Sequence, residues 1–189
     1  EVFSDLSLSI ISELIIQYWT FAARKVYIFS TFYLRFPYVY STVEVSEMPD
    51  RTTSFSLHEI GSDDYEEVVQ LWHRAGLPVR REGRDAPAAF ARQMAAGAQR
   101  VIGMRAPDGT LAAVIVLTHD GRKGWINRLA VDPQYRRRGL ARFLIAEAER
   151  WFTQDIGLEV WAALIEGENK DSQALFAALG FHAHDVVYV

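Results

Sequence analysis

The chain contains no cysteine. That excludes a disulfide framework, a cysteine nucleophile and a thiolate metal site, and it suits a reducing, cytoplasmic setting. Several phosphate and hydrolase signatures are also missing. There is no G-x-x-x-x-G-K-[ST] loop and no G-x-G-x-x-G turn, so nucleoside-triphosphate and dinucleotide binding lose their usual support. There is no G-x-S-x-G elbow for a serine hydrolase and no H-E-x-x-H pair for zinc. His182 and His184 stand alone near the end, and no metal is expected. The first 47 residues have no glycine at all, yet they hold 11 of the 24 aromatic residues. An excess of positive charge is missing too: the net charge is −4, which argues against a general nucleic-acid binder.

What is present divides near residue 48. Residues 1–47 carry an apolar run over 6–23, broken by Glu13, and then a Tyr/Phe-rich, strand-like stretch over 26–45. Glu1 and Asp5 sit where a signal peptide would carry positive charge. About 20 mostly apolar residues are needed to span a bilayer, and Glu13 falls inside the run, so a membrane span is disfavoured. Three readings stay open for this extension: non-native sequence upstream of Met48, a helix-strand cap packed on the domain or a partner, and an interfacial membrane anchor. Deleting 1–47 is expected to leave ligand binding intact, and a truncated protein that cannot fold would show that the segment is part of the core. Residues 48–189 have ordinary globular punctuation and form the second unit.

From Met48 the pattern predicts a strand at 54–60 and a helix from Tyr65, with Asp63 and Glu66 as a capping box and Gly76-Leu77-Pro78 as its end. A second helix follows Asp85-Ala86-Pro87 and runs to about Ala96. Strands are expected at 99–105 and 111–118 around Asp108-Gly109, and another at 125–131 after a turn at 120–124. A helix over 138–152, a strand over 158–165, a short helix over 171–179 stopped by Gly180, and a last strand at 186–189 complete the order. This is an α/β arrangement with a mixed sheet, not a regular doubly wound fold.

The most informative stretch is 127–142. An apolar strand stops at Asp132-Pro133, and a basic, glycine-containing turn then leads straight into a helix. Backbone N–H groups, the helix N-terminus and Arg136, Arg137, Arg138 and Arg142 together make an anion cradle. Three cations at the positive end of a helix are unfavourable unless an anion offsets them.

Arg136-x-x-Gly139-x-Ala141 resembles the acetyl-coenzyme A signature of the GNAT family of N-acetyltransferases, written R/Q-x-x-G-x-G/A. A second segment, Asn169-Lys-Asp-Ser172-x-Ala174-Leu175-Phe176-Ala-Ala-Leu179-Gly180-Phe181, resembles that family's other signature, an Asn followed by L-Y-x-x-x-G-F. The resemblance covers residues ~50–189, with both motifs in register, and implies an α/β (α+β) fold of GNAT type, a mixed, mostly antiparallel sheet with helices on both faces. It implies that acetyl-CoA is the co-substrate and that an amine of a small molecule or peptide attacks it directly in a ternary complex. It also implies that backbone N–H groups of Arg137, Arg138, Gly139, Leu140, Ala141 and Arg142 hold the pyrophosphate, with Arg136 opening the motif. Leu129, Ala130 and Val131 would pair with the pantetheine arm, Asn169 would hydrogen-bond it, Ser172 would belong to the same cofactor site, and Phe176 would pack beside the thioester. Asn169 also reads simply as part of a helix N-cap region.

Catalysis is less complete in the sequence. A backbone N–H of Leu129 or Ala130 is the candidate oxyanion donor. Glu166 is the candidate base, with Glu168, His119 and Asp120 as further options, the last two more simply turn residues. Phe176 stands where the family often has a tyrosine, so the leaving thiolate needs another proton source, Tyr135 or Ser172, or leaves unprotonated. Trp72, His73 and Arg80 lie where such families shape the acceptor pocket. Phe176 also motivates an alternative, a catalytically degenerate acyl-CoA-binding sensor. Oligomeric state is left open, a homodimer included.

Overall fold

The computed structural model describes residues 30–35 and 54–185. The apolar run at 6–23, most of the 26–45 stretch and the expected strand at 186–189 lie outside the described residues. Among the described residues, seven strands form one sheet: β1 (Ser30–Arg35), β2 (Ser56–Glu59), β3 (Gln99–Arg105), β4 (Leu111–His119), β5 (Gly124–Val131), β6 (Trp161–Glu166) and β7 (His182–Asp185). Their order across the sheet is β2-β3-β4-β5-β6-β1-β7. Every pair is antiparallel except β5–β6. Four helices cover it: α1 (Tyr65–Ala75), α2 (Pro87–Ala95), α3 (Leu140–Arg150) and α4 (Lys170–Ala178).

β4 explains the two-faced packing. Leu111 through Leu117 are all buried, as a strand covered on both sides must be. Alternate side chains divide between two cores. Ala113, Ile115 and Leu117 join Leu140, Leu144, Ile145 and Phe152 on the α3 side. Val114 and Val116 join Val68, Val69, Leu71, Trp72 and Phe90 under α1 and α2. Gly124 opens β5 at a point where a Cβ would stand 2.7 Å from the Phe152 ring. The glycine therefore lets α3's C-terminal turn sit directly on the sheet.

The expected order of elements from Met48 onward is the observed one. The departures are local and physical. α3 begins at Leu140, not 138, because Arg137 and Gly139 have φ of 62° and 87° and cannot be helical. Its far end continues as a π-type turn, Trp151–Asp155. β6 starts at Trp161 because the Leu158 N–H is bonded to the Phe152 carbonyl (2.7 Å) in a connecting turn. The Asp63/Glu66 capping box does not form. Asp64 accepts the Gly61 N–H at 2.8 Å, and Glu66 pairs with Arg81 at 2.8 Å. The last described strand is at 182–185, and the expected 186–189 lies outside the described residues.

β1 comes from the aromatic-rich extension. It is paired on both sides, with Ser30–Arg35 against Glu166–Trp161 of β6 and Thr31–Leu34 against Asp185–His182 of β7. The division near residue 48 thus does not coincide with an edge of the sheet.

Candidate functional site

β5 and β6 run parallel but pair only over Gly124–Ile126 and Trp161–Ala163. From Asn127 and Leu164 onward they have no shared register, and a wedge opens between them. A β-bulge marks the start of the split. Val116 of β4 opposes Arg128, Leu117 opposes Ile126, and Asn127 is the extra residue. Bulges re-aim a strand in this way, often beside functional sites. Leu129, Ala130 and Val131 keep β4 as a partner on one edge and line the wedge with the other.

At the open end lies the cradle. β5 leads into a short 3₁₀ turn, Pro133–Tyr135, pinned by Asp132. Asp132 is buried, accepts the Gln134 N–H (3.0 Å) and is bonded to Arg74 Nε (2.6 Å). Burial pushes its carboxyl up, but the bonds from Arg74 and Gln134 together hold it below its ordinary value. Arg136 is held as well: its guanidinium donates to the carbonyls of Val131 and Ala75, both at 3.3 Å. Its side chain therefore braces the turn against α1's C-terminus. Arg137 then takes φ 62°, and among the described residues no other non-glycine has positive φ. Gly139 takes φ 87° as N-cap of α3. Left-handed residues alternating with ordinary ones turn successive N–H groups into one concavity, which the helix N-terminus extends. Arg137, Arg138 and Arg142 are exposed around it, and Leu140 anchors its floor in the core.

The other sequence candidates fall as follows. Asn169 is the N-cap of α4, its side-chain oxygen accepting the Ser172 N–H (3.1 Å), so only its amide NH₂ is left to donate. It stands at the open end of β6, across the wedge from the cradle. Phe176 is 2% exposed, edge-on to Phe181 at 4.9 Å, within the α3-side core. Glu166 ends β6 and is exposed, as is Glu168. Tyr135 packs edge-on to Phe55 (5.6 Å) beneath the Arg138 guanidinium (5.5 Å), on the cradle side. His119 and Asp120 are at the opposite end of β5, where His119 pairs with Gly124. His119 accepts the Gly121 N–H and Asp120 accepts those of Arg122 and Lys123, so both are turn residues.

Two residues of the site escaped the sequence argument. Arg128 lies in β5 with its guanidinium over the Trp72 ring at 4.3 Å. It donates to the Pro78 carbonyl (3.0 Å) and to the buried Asp85 carboxylate (2.9 Å). Burial pulls this guanidinium below its ordinary value, while Asp85 works against that shift. Asp85, read in the sequence only as a helix opener, also accepts the Arg80 N–H (2.9 Å), and its carbonyl accepts the Tyr65 hydroxyl (2.6 Å). Together they clamp the 77–86 loop onto α1 and β5. The available signal was Arg128 itself, a cation inside an otherwise apolar strand, which must find a partner when buried. Beside this loop is an open pocket of about 710 Å³, lined by His73, Val79 and residues 80–84.

Among the described residues, no cluster of side chains could hold a metal ion and no helix is long and apolar enough to cross a membrane.

A split parallel pair with an N–H cradle at its open end makes a site for an extended ligand with an anionic end. The chain belongs to the acetyltransferase (GNAT) family, whose family model matches residues 56–181. Comparison with curated sequences gives no match. Among solved structures it is similar to a tandem GNAT protein from the clavulanic acid biosynthesis pathway, at 18% identity and TM-score 0.65. That match covers 87% of this chain but 53% of the other, so the chain spans about half the length of the tandem protein. It is similar also to the PaiA N-acetyltransferase from Thermoplasma acidophilum in complex with coenzyme A (19% identity, TM-score 0.62, covering 70% of this chain and 92% of that one). A spermidine N-acetyltransferase from Vibrio cholerae matches at 16% identity and TM-score 0.56, over 69% of this chain and 80% of the other. At these identities the likeness is one of fold.

Proposed function

We propose that the protein is an acetyl-CoA-dependent N-acetyltransferase that modifies a primary amine of a small molecule or peptide. The supporting observation is the cradle at the open end of the β5–β6 split. Its N–H groups suit a pyrophosphate, and the unpaired edge of Leu129–Val131 suits an extended arm carrying amides. The residues present fit coenzyme A, and the co-substrate would supply the thioester.

In the proposed reaction the amine nitrogen attacks the thioester carbonyl carbon, a C–N bond forms, and the C–S bond breaks to release coenzyme A thiolate. A wedge-facing N–H of Leu129 or Ala130 stabilises the carbonyl oxygen as it gains charge. Glu166, at the mouth of the wedge, takes the proton from the incoming amine. Phe176 has no proton to give and is packed in the core, so the thiolate leaves as such or is protonated by Tyr135 or Ser172. Reaction in the cytoplasm is part of the same proposal.

The test is free-thiol release from acetyl-CoA with a panel of amines. Acceptor-dependent release supports the enzyme. Phe176 favours one competing reading, an acyl-CoA-binding sensor without turnover. Tight coenzyme binding with no thiol release from any acceptor would establish that reading and remove the enzyme.

A further inference from the structure

One protein of similar fold is a spermidine N-acetyltransferase, which acts on a polycation, but the pocket beside the 77–86 loop has the wrong sign for one. Its charged lining is Arg80, Arg81 and Arg84 against Glu82, three cations to one anion in a chain of net charge −4. Arg81 is compensated by Glu66 at 2.8 Å. Arg84 stands 4.0 Å from Asp85, but Asp85 is already engaged by Arg128 at 2.9 Å. Arg80 is held through its backbone, its N–H donating to the Asp85 carboxylate (2.9 Å) and its carbonyl accepting the Asp85 N–H (3.3 Å), and its guanidinium has no partner among the described residues. Two exposed guanidiniums thus lack a close counter-charge of their own beside an open pocket of about 710 Å³.

The pocket is on the acceptor side of the wedge. Arg128 and Ala130 of β5 share the sheet face covered by α1, as Ala130's place in that core shows. On β6, Trp161, Ala163 and Ile165 face α3, so Leu164 and Glu166 project to the α1 face. Leu164 is 43% exposed there, an apolar surface beside the split. The proposed base, an apolar patch and the arginine loop therefore share one face, and Arg128 links that loop to the strand that would hold the thioester.

We infer that the acceptor is an amine carrying an anionic group, carboxylate or phosphate, which Arg80 and Arg84 bind while its amine reaches the wedge. This rests on the acetyltransferase reading of the same site. Guanidinium forks suit both oxyanions. The Asp85–Arg128 clamp holds the loop in place, so the anion meets guanidiniums already positioned.

The experiment compares matched acceptors with acetyl-CoA: glycylglycine against glycinamide, O-phosphoethanolamine against ethanolamine, and spermidine as the polycation. The expected result is at least tenfold higher kcat/KM for one anionic member over its neutral partner, with spermidine poorest. Preference for the dipeptide identifies a carboxylate, and preference for O-phosphoethanolamine a phosphate. In Arg80→Gln/Arg84→Gln that preference should fall by tenfold or more through acceptor KM, with acetyl-CoA KM unchanged. Equal use of neutral and anionic amines, or a preference untouched by the double substitution, overturns the anionic-acceptor inference and leaves the acetyltransferase standing. If no amine is turned over, binding of glycylglycine and O-phosphoethanolamine to the coenzyme A complex is measured by calorimetry. Binding lost in the double variant keeps the anion site although the transferase reading fails; no binding by wild type removes both.

Discussion

At Arg137 the backbone holds a conformation that a side chain disfavours by about 1–2 kcal/mol. Such strain persists where the surrounding structure imposes it, and the bracing of Arg136 and Asp132 on either side of the turn does so here. Gly139, at φ 87°, has no Cβ to resist the same region. Gly139→Ala is expected to cost about 1 kcal/mol, read as a fall of roughly 2–4 °C in Tm. Gly139→Glu should in addition abolish coenzyme A binding by placing a negative side chain in the cradle. Arg128→Met should cost more, about 3 kcal/mol, because it leaves the buried Asp85 carboxylate with the Arg80 N–H and no cation nearer than the distant Arg84. Chemical denaturation checks both magnitudes. Asp132 gives a pH signature. Its folded value lies below its ordinary one, so its contribution is complete above the ordinary carboxylate range and disappears as pH falls through the lowered value. Asp132→Asn should therefore cost about 1–2 kcal/mol at pH 7, and the gap to wild type should shrink towards pH 3. A gap that stays constant with pH would show that the carboxylate's charge is not what matters.

Among the elements, β1 carries the sharpest prediction. A strand paired on both edges tolerates no proline at its centre, whereas an edge strand can. Phe32→Pro should cost about 3 kcal/mol or more, and an unchanged melting temperature would show that β1 contributes nothing to stability. The sequence led us to expect coenzyme binding to survive deletion of 1–47. With β1 alongside the whole of β6, one wall of the wedge, the deletion is instead expected to lower Tm and weaken coenzyme A binding together. The same strand shows how far the sequence could be read. β3 and β4 were legible because Asp108-Gly109 separates two apolar runs. α1 was legible because Val68, Val69 and Trp72 recur at helical spacing. That β1 would enter between β6 and β7 was not, because pairing over such a separation leaves no local periodicity. The α3 start was misplaced for another reason: nothing in Arg-Arg-Arg announces a left-handed residue, and only tertiary bracing imposes it. The cradle's position was legible from Gly139 and its flanking strand. The Asp85–Arg128 clamp was not, because its members are 43 residues apart.

For the whole molecule, binding and stability are linked. A ligand held by the native state alone at 100 times its Kd adds about 2.7 kcal/mol. Coenzyme A at that excess should raise Tm by roughly 5–10 °C. No shift with wild type would remove both the transferase and the sensor readings, because each requires the cradle to be filled. The two helical layers meet at this site. Arg74 of α1 holds Asp132 and Arg136 holds the Ala75 carbonyl, so the α1 side and the cradle are mechanically continuous. A substitution at either contact should therefore disturb acceptor and coenzyme kinetics together, unlike changes at Arg80.

The position of β1 also sets a timetable. The ribosome makes this strand before either of its neighbours exists, since β6 and β7 are encoded at the far end of the chain. At about 5–20 residues per second, the nascent strand waits on the order of ten seconds with both edges unsatisfied. For that interval an aromatic stretch, Ser-Thr-Phe-Tyr-Leu-Arg, is open to pairing with another unfinished copy on the same polysome. Expression yield should then depend on translation speed and on chaperones that shelter the emerging N-terminal segment, even where the finished protein is stable.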